Sequence, residues 1–102
     1  MSAPERDGSV MVVQHRVQEC RFELPVEGVV ARVDYAWDGD AVIFTHTFVP
    51  PQLRGRGIAE QLVRGALAWA ESEKHSVVPV CSYVDVFIRR NPEYQPLLRS
   101  AG

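Results

Sequence analysis

The sequence predicts one α+β domain, and three patterns along the chain support this fold class. Apolar and polar residues alternate through much of residues 20–49, as they do in half-buried β-strands. From Ile58 to Ala70 the apolar residues recur every three or four positions, which is typical of one face of an α-helix. A short apolar segment at 77–81 then precedes a second helical segment. We therefore expect a mainly antiparallel meander sheet, a central helix, one further strand and a C-terminal helix.

Length and composition limit the chain to a single hydrophobic core. A chain of 102 residues with 46% hydrophobic and 24% charged residues is ordinary for one globular domain and too short for two. The first residues are polar and of mixed charge, so we expect a disordered tail over 1–9 and a single domain over 10–102. The tail does not resemble a signal peptide, and no apolar run reaches the ~18 residues of a membrane span, so we expect a cytoplasmic protein.

Charge and cysteine content exclude several classes of function. The formal net charge of −2 argues against binding to nucleic acid or to an anionic membrane by general charge attraction. The two cysteines, Cys20 and Cys81, are too few for a disulfide framework and lack the CxxC spacing of zinc sites, so we expect no metal site. Cys20 lies on an alternating strand and is expected to fill the core.

Four segments of the first half are predicted to be β-strands. They are residues 10–13, 20–24, 29–37 and 41–49. Pro25 and Gly28 are expected to form the turn between the second and third segments. Asp38-Gly39 between two β-rich segments is a strong hairpin signal, because glycine tolerates the positive φ of tight turns. Pro50-Pro51 ends the fourth segment, because proline cannot donate to the ladder.

The second half is predicted to contain two helices separated by a strand. The apolar stripe described above corresponds to a helix of about four or five turns. The apolar segment 77–81 is expected to form a strand buried on both faces. Ser82 is expected to cap the second helix, with Asp85 in the capping-box position. This helix should end near Arg90, before Pro92, and a proline-bounded turn should follow it.

The loop at 52–59 is the most informative segment for function. It reads Gln52-Leu53-Arg54-Gly55-Arg56-Gly57-Ile58-Ala59 and joins the end of a strand to the start of a helix. Its glycines allow a sharp turn and close backbone approach to a ligand, and the first helical amides have no acceptor within the helix. Such a loop can bind phosphate or diphosphate. Taken alone, such a loop is weak evidence for a ligand, because a tight connection between a strand and a helix would also explain it.

Four ordered blocks of sequence together resemble a known family. They are His46-Thr47-Phe48-Val49-Pro50, Leu53-Arg54-Gly55-Arg56-Gly57-Ile58-Ala59, Pro79-Val80-Cys81-Ser82-Tyr83-Val84 and Asn91-Pro92-Glu93-Tyr94. Over about residues 10–98 the chain resembles the GNAT acetyltransferase superfamily, and within it the small single-domain YjdJ-like branch. One departure is Asn91, which stands at a position that we associate with histidine in many such sequences.

This resemblance implies a minimal GNAT fold that binds acetyl-CoA. The strands ending near Val49 and Cys81 would run parallel and then splay, so that the pantetheine arm of coenzyme A (CoA) lies in the cleft. The diphosphate would lie over the glycine-rich loop, where Arg54 or Arg56 could also reach the 3′-phosphate. The implied cofactor-binding residues are Phe48, Val49, Gln52, Leu53, Arg54, Gly55, Arg56, Gly57, Ile58 and Ala59.

The resemblance also implies an N-acetyltransferase with candidate catalytic residues. Cys81 follows a buried strand and precedes a helix whose N-terminal amides would stabilise a thiolate, so it is either a nucleophile that carries the acetyl group or a residue that lines the site. His46 is either the general base for an amine acceptor or a packed histidine. Tyr94 and Asn91 are candidates for a general acid or a cofactor contact, and otherwise pack the C-terminal tail or cap the helix.

Strict alternation along the fourth strand would place His46 on one face with Phe44 and Phe48, and Thr47 on the other. His15 and His75 are expected at the surface. The acceptor amine is unknown, and it is a small molecule, a peptide or a protein. Two alternatives to an enzyme remain at this point: a non-catalytic module that senses CoA or acyl-CoA, and a small interaction domain whose glycine loop is only a turn.

Overall fold

The computed structural model describes residues 12–99, so the predicted tail at 1–9 lies outside the described residues. The strands are β1 (Gln14–Arg16), β2 (Arg21–Val26), β3 (Val29–Asp38), β4 (Ala41–Phe48) and β5 (Ser76–Pro79). The helices are α1 (Ile58–Ser72) and α2 (Ser82–Arg90), with short 3₁₀ helices at Pro51–Leu53 and Pro92–Leu97. The sheet order is β1-β2-β3-β4-β5, in which only the β4–β5 pair is parallel. The predicted α+β class is confirmed.

Both helices pack on one face of the sheet and leave the other face open. The fully buried side chains come from the sheet and from both helices: Leu24, Val33, Val42, Phe44, Leu53, Ile58, Leu62, Val63, Leu67, Val77, Val84 and Ile88. The open face carries charged residues instead. Arg32 Nε lies 3.2 Å from Asp34 Oδ1, and Arg21 Nε lies 3.5 Å from the same oxygen. The sheet therefore has one apolar and one polar face, as is common for antiparallel sheets.

The turns of the meander differ in one place from the sequence prediction. Gly39 has φ of 60°, and it forms the predicted hairpin between β3 and β4. Pro25, predicted to lie in a turn, is instead within β2 and pairs with Val30. β1 pairs with β2 only as far as Glu23, so the missing N–H of Pro25 costs no ladder bond on that side. The turn itself is at Glu27 and Gly28, which both have positive φ.

The first strand lies later than the sequence predicts. The apolar run at 10–13 is partly outside the described residues, and the strand found is the polar segment Gln14–Arg16. His15 is responsible for its packing, because its ring stacks on Phe22 with 4.0 Å between centroids. The Nε2 atom of His15 also lies 2.6 Å from the hydroxyl of Tyr35. His15 is therefore part of an aromatic cluster, and the prediction that it lies at the surface was wrong.

A β-bulge in β4 overturns the predicted arrangement of its side chains. Tyr35 pairs with Phe44 and Asp34 pairs with His46, which leaves Thr45 as an extra residue in β4. Because a bulge shifts the alternation by one residue, Thr47 faces the helices together with Phe44. His46 instead faces the open side of the sheet. Strict alternation therefore fails within this strand.

β5 and the start of α2 also depart from the predictions. Only Val77 of β5 is fully buried, because no helix of the described part of the chain covers the opposite face of the sheet. Val80 is 64% exposed, so the strand is not buried on both faces. Cys81, not Ser82, is the N-cap of α2, and no side chain caps the helix. Asp85 forms an ion pair with Arg89 at 3.0 Å, and the predicted capping box is absent.

Among the described residues, no helix has the length and apolar character of a membrane span.

Candidate functional site

β4 and β5 separate beyond Phe44, as the splayed pair predicted from the sequence requires. The β4–β5 ladder ends at the pair of Phe44 and Pro79, whereas pairing of β4 with β3 continues to Phe48. The N–H of Val80 donates to the carbonyl of Val78 at 3.1 Å, an i→i+2 bond that turns the chain away at Pro79. The last link across the gap is the N–H of Cys81, which donates to the Phe44 carbonyl at 2.8 Å. Among residues 12–99, the backbone of β4 beyond this bond therefore has a strand partner on one side only.

The glycine-rich loop presents backbone amides at the start of α1. Gly55 and Gly57 have φ of 79° and 73°, a left-handed conformation that strongly favours glycine. Gly57 is the N-cap, and its carbonyl accepts the first helical bond from Gln61 at 3.2 Å. The amides of Ile58, Ala59 and Glu60 therefore have no acceptor within the helix. A Cβ placed on either glycine would meet no neighbouring atom within 4 Å, so the space in front of the loop is open.

One cavity of about 560 Å³ joins the free edge of β4 to this loop. This volume lies within the range of ~300–1,000 Å³ that is typical of ligand pockets. The lining residues are His46, Thr47, Phe48, Val49, Leu53, Arg54, Gly55, Gly57, Ile58, Ala59, Glu60 and Tyr83. Eight of the ten residues expected to bind the cofactor thus line one space, while Gln52 and Arg56 do not.

The two arginines of the loop point in different directions. Arg56 donates two hydrogen bonds to the carboxylate of Glu27, at 3.1 and 3.0 Å, and this bonding lowers the pKa of Glu27. Its side chain is therefore held against the β2–β3 turn. Arg54 lines the cavity, and its Nε donates to the carbonyl of Val49 at 3.1 Å. Of the two, Arg54 is the cation nearer to a ligand in the cavity.

Cys81 does not line the cavity, but it contacts a residue that does. Its side chain is buried, and its Sγ lies 3.2 Å from Oγ1 of Thr47, which does line the cavity. The thiol is therefore one residue removed from the open space. His46 lies on the exposed face of β4, and it lines the cavity directly. The gap thus brings both candidate catalytic residues to the same end of β4 and β5, on opposite faces of the sheet.

Asn91 and Tyr94 meet at a different place, where α2 contacts α1. Arg64 donates to Asn91 Oδ1 at 3.3 Å and to the Tyr94 hydroxyl at 3.5 Å. The Nδ2 of Asn91 donates to the carbonyl of Phe87 at 2.8 Å, at the end of α2. Asn91 lines a smaller cavity of about 190 Å³. Neither residue lines the larger one.

The cavity also contains side chains that the sequence did not single out. Tyr83, on the first turn of α2, lies between the two cavities, and desolvation by burial raises the pKa of its hydroxyl. Glu60 lines both cavities and pairs with Arg64 at 3.1 Å. Thr47 also lines the cavity, and its side chain faces the helix-covered side of the sheet because of the bulge. The one feature of the sequence that could have indicated Tyr83 as a site residue is its position two residues after Cys81.

Comparisons with known proteins show which family this chain belongs to. A family model described as GCN5-related N-acetyl-transferase matches residues 21–97. Protein NATD1 of Mus musculus is 33% identical over 101 residues, covering 96% of this chain and 91% of its own. Protein NATD1 of Homo sapiens is 30% identical over 95 residues, covering 90% of this chain and 84% of its own.

A small GCN5-like protein from Staphylococcus aureus, whose structure was solved by NMR in solution, shares the fold. Its TM-score is 0.72 at 18% identity, with 92% of this chain and 93% of that chain covered. At this identity the likeness shows the fold alone. The match of the family model to most of the sequence, together with the NATD1 relatives, identifies the chain as a member of the GCN5-related N-acetyltransferase family.

Proposed function

We propose that this protein is an acetyl-CoA-dependent N-acetyltransferase that transfers acetyl to an amine. One observation carries the proposal: a single cavity connects unpaired amides at the N-terminus of α1 with the free edge of β4, next to His46 and close to Cys81. The family to which the chain belongs typically uses acetyl-CoA, and this cavity has the features that such a molecule requires.

The glycine-rich loop fits the diphosphate of CoA. The amides of the first turn of α1 and the helix dipole both favour an anion at this place. Arg54 supplies a further positive charge at the cavity wall. Glu60 would oppose a diphosphate, but its carboxylate is paired with Arg64 at 3.1 Å, which reduces the repulsion. The balance of groups therefore favours anion binding.

The free edge of β4 fits the pantetheine arm. Residues 46–48 pair with β3 and have no strand partner on the other side among the described residues. An extended chain of amide groups can hydrogen-bond to such an edge as an added strand does. Phe48 and Val49 line the cavity along this edge. A thioester at the end of the arm would then lie near Thr47, His46 and the wall that contains Cys81.

Acetyl-CoA supplies an acetyl group activated as a thioester. In direct transfer, His46 accepts a proton from the acceptor ammonium, and the nitrogen lone pair attacks the thioester carbonyl carbon. The new C–N bond replaces the C–S bond, and the sulfur leaves with the bonding electrons and takes up the second proton that the attacking nitrogen loses. His46 is suited to the first step because it is open to solvent and lines the cavity. The proton that His46 accepted from the ammonium then passes to water.

In the covalent route, the Cys81 sulfur first attacks the thioester carbonyl carbon and carries the acetyl group as a new thioester, while CoA leaves as a thiolate and takes up the proton that the Cys81 thiol loses. This exchange breaks one C–S bond and forms another, so it is close to thermoneutral. An amine then attacks the acetyl-cysteine and restores the thiol. Because Cys81 is buried and does not line the cavity, this route requires its sulfur to become accessible from the cavity.

A binding module without catalysis is the second candidate, and one observation favours it. Cys81 is buried and does not line the cavity, and Tyr94 is bonded to Arg64 at a distance from it. A protein that only senses acyl-CoA would need the loop and the edge of β4 but neither of these side chains.

Mass spectrometry of the intact protein after incubation with acetyl-CoA, combined with calorimetry, tests these readings. The enzyme should bind CoA and release free CoA steadily when an amine is added. An acetyl group on wild-type protein that is lost in Cys81→Ala supports the covalent route, whereas undiminished turnover by Cys81→Ala supports direct transfer. Binding of CoA without turnover of any amine in a broad panel would favour the binding module without catalysis. Absence of CoA binding by the folded protein would contradict the proposal.

A further inference from the structure

We propose that Thr47 is a positioning residue that holds the Cys81 sulfur and stabilises it as a thiolate. This inference rests on the proposed function, because it concerns a residue of the same cavity and assigns its role. The Oγ1 of Thr47 lies 3.2 Å from Sγ of Cys81. A thiol is a weak hydrogen-bond partner, but a thiolate accepts strongly from a hydroxyl. The contact therefore favours the form of Cys81 that reacts.

The contact exists because of the bulge at Thr45. With strict alternation, Thr47 would face the open side of the sheet, away from α2 and from the residue that caps it. The extra residue in β4 places Thr47 opposite Val33 and on the same face as Phe44. Bulges near functional sites commonly re-aim a side chain in this way. The backbone irregularity and the hydroxyl–sulfur contact are therefore linked.

The N-terminus of α2 makes no hydrogen bond of this kind to the sulfur. Cys81 is the N-cap of α2, yet its side chain makes no capping hydrogen bond. Asp85, in the first turn of the same helix, adds a negative charge, and its ion pair with Arg89 at 3.0 Å reduces the effect of that charge on an anion there. Within the part of the chain that the structure describes, the Thr47 hydroxyl is the side-chain hydrogen-bond partner of the sulfur, and it can donate to a thiolate. Thr47 also lines the cavity, so the hydroxyl that contacts the sulfur lies at the boundary of the space proposed for the thioester.

The test measures the rate at which iodoacetamide alkylates Cys81, without acetyl-CoA, by mass spectrometry of the peptide that contains it. Peptide mapping separates Cys81 from Cys20. At pH 7 we expect Thr47→Val to react about tenfold more slowly, because it lacks a hydrogen bond to a charged group. Thr47→Ser should react within about twofold of wild type, because it keeps the hydroxyl. At pH 10 the difference should largely disappear, because thiols ionise there without help.

Thr45→Val is the matched control. Thr45 is on the same strand as Thr47, but its Oγ1 donates to the carbonyl of Asp34 on β3 at 3.3 Å, so loss of this hydroxyl should leave the alkylation rate unchanged. Thr47→Ala provides a second variant without the hydroxyl, should Thr47→Val fail to fold. An unchanged rate in both Thr47 variants at pH 7 would overturn the inference, as would a deficit that persists at pH 10 and so reflects access instead of ionisation. A wild-type Cys81 that resists alkylation entirely would overturn it too.

A failure of the proposed function can be distinguished from a failure of this inference. Failure of the proposed function would appear as absence of CoA binding in calorimetry, a measurement that does not involve the thiol. The alkylation rates would then still decide whether Thr47 stabilises the sulfur.

Discussion

Replacement of Gly57 by alanine separates the backbone strain of the loop from its role in binding. Gly57 has φ of 73°, and a Cβ there would meet no protein atom within 4 Å. The left-handed conformation costs a non-glycine residue about 1–2 kcal/mol, so the free energy of unfolding should fall by about that amount. The added methyl group would also protrude into the place where we propose that the diphosphate meets the amides. Displacing one amide hydrogen bond to a charged group costs ~1.5–3 kcal/mol, which corresponds to at least a tenfold loss of CoA affinity.

Gly39→Ala is the matched control, because Gly39 has φ of 60° and the same open surroundings but lies in the β3–β4 hairpin. Urea unfolding should show a similar loss of stability in both variants. Isothermal titration with CoA should show weaker binding only for Gly57→Ala, at a temperature where both variants are fully folded. If the two variants bind CoA with equal affinity, the diphosphate does not lie on the loop amides and the proposed site is wrong.

Three further predictions follow from the site and from the aromatic cluster. Arg54→Gln should weaken CoA binding severalfold more than Arg56→Gln, because Arg56 is held by Glu27, and titration of both variants in low salt compares them. His46→Gln should lower kcat about 10²-fold at pH 7.5 and much less at pH 10, where a free amine needs no base; a uniform loss in the pH–rate profile would argue against this role. Burial lowers the pKa of His15 in the folded protein. The unfolded chain therefore binds more protons, so the stability contributed by neutral His15 is complete above about pH 6.5 and is lost as the pH falls below it. Urea midpoints at pH 5 and 7.5 should differ less in His15→Phe than in wild type, and an equal difference would show that His15 is not responsible.

The parts of the fold that depend on local sequence were accessible from the sequence. Alternation located β3 and β4 to within a residue of their bounds, and the apolar stripe located α1. Gly39 and Gly57 have the positive φ that their turns require, which glycine adopts without strain. In each case the determining interaction lies within a few residues along the chain.

The features that escaped prediction depend on residues far apart in sequence. β1 has a polar sequence, and it becomes a strand because His15 packs against Phe22 and Tyr35. Arg56 turns away from the cavity because Glu27 binds it, although 29 positions separate them. Thr47 reaches Cys81 because a register shift against β3 rotates it to the helix side. Periodicity within one segment carries no information on these contacts.

The gap that makes the site is produced by two independent interruptions at the same level of the sheet. Thr45 is the extra residue of β4 immediately after Phe44, and Pro79, which pairs with Phe44, is where β5 turns away. The bulge alone would twist β4 without freeing its edge, because β5 could follow it. The turn at Pro79 alone would free the edge but leave Thr47 on the wrong face. Together they open a slot next to the start of α1 and place a hydroxyl and a thiol at its wall, so the chemistry of the site depends on both defects coinciding.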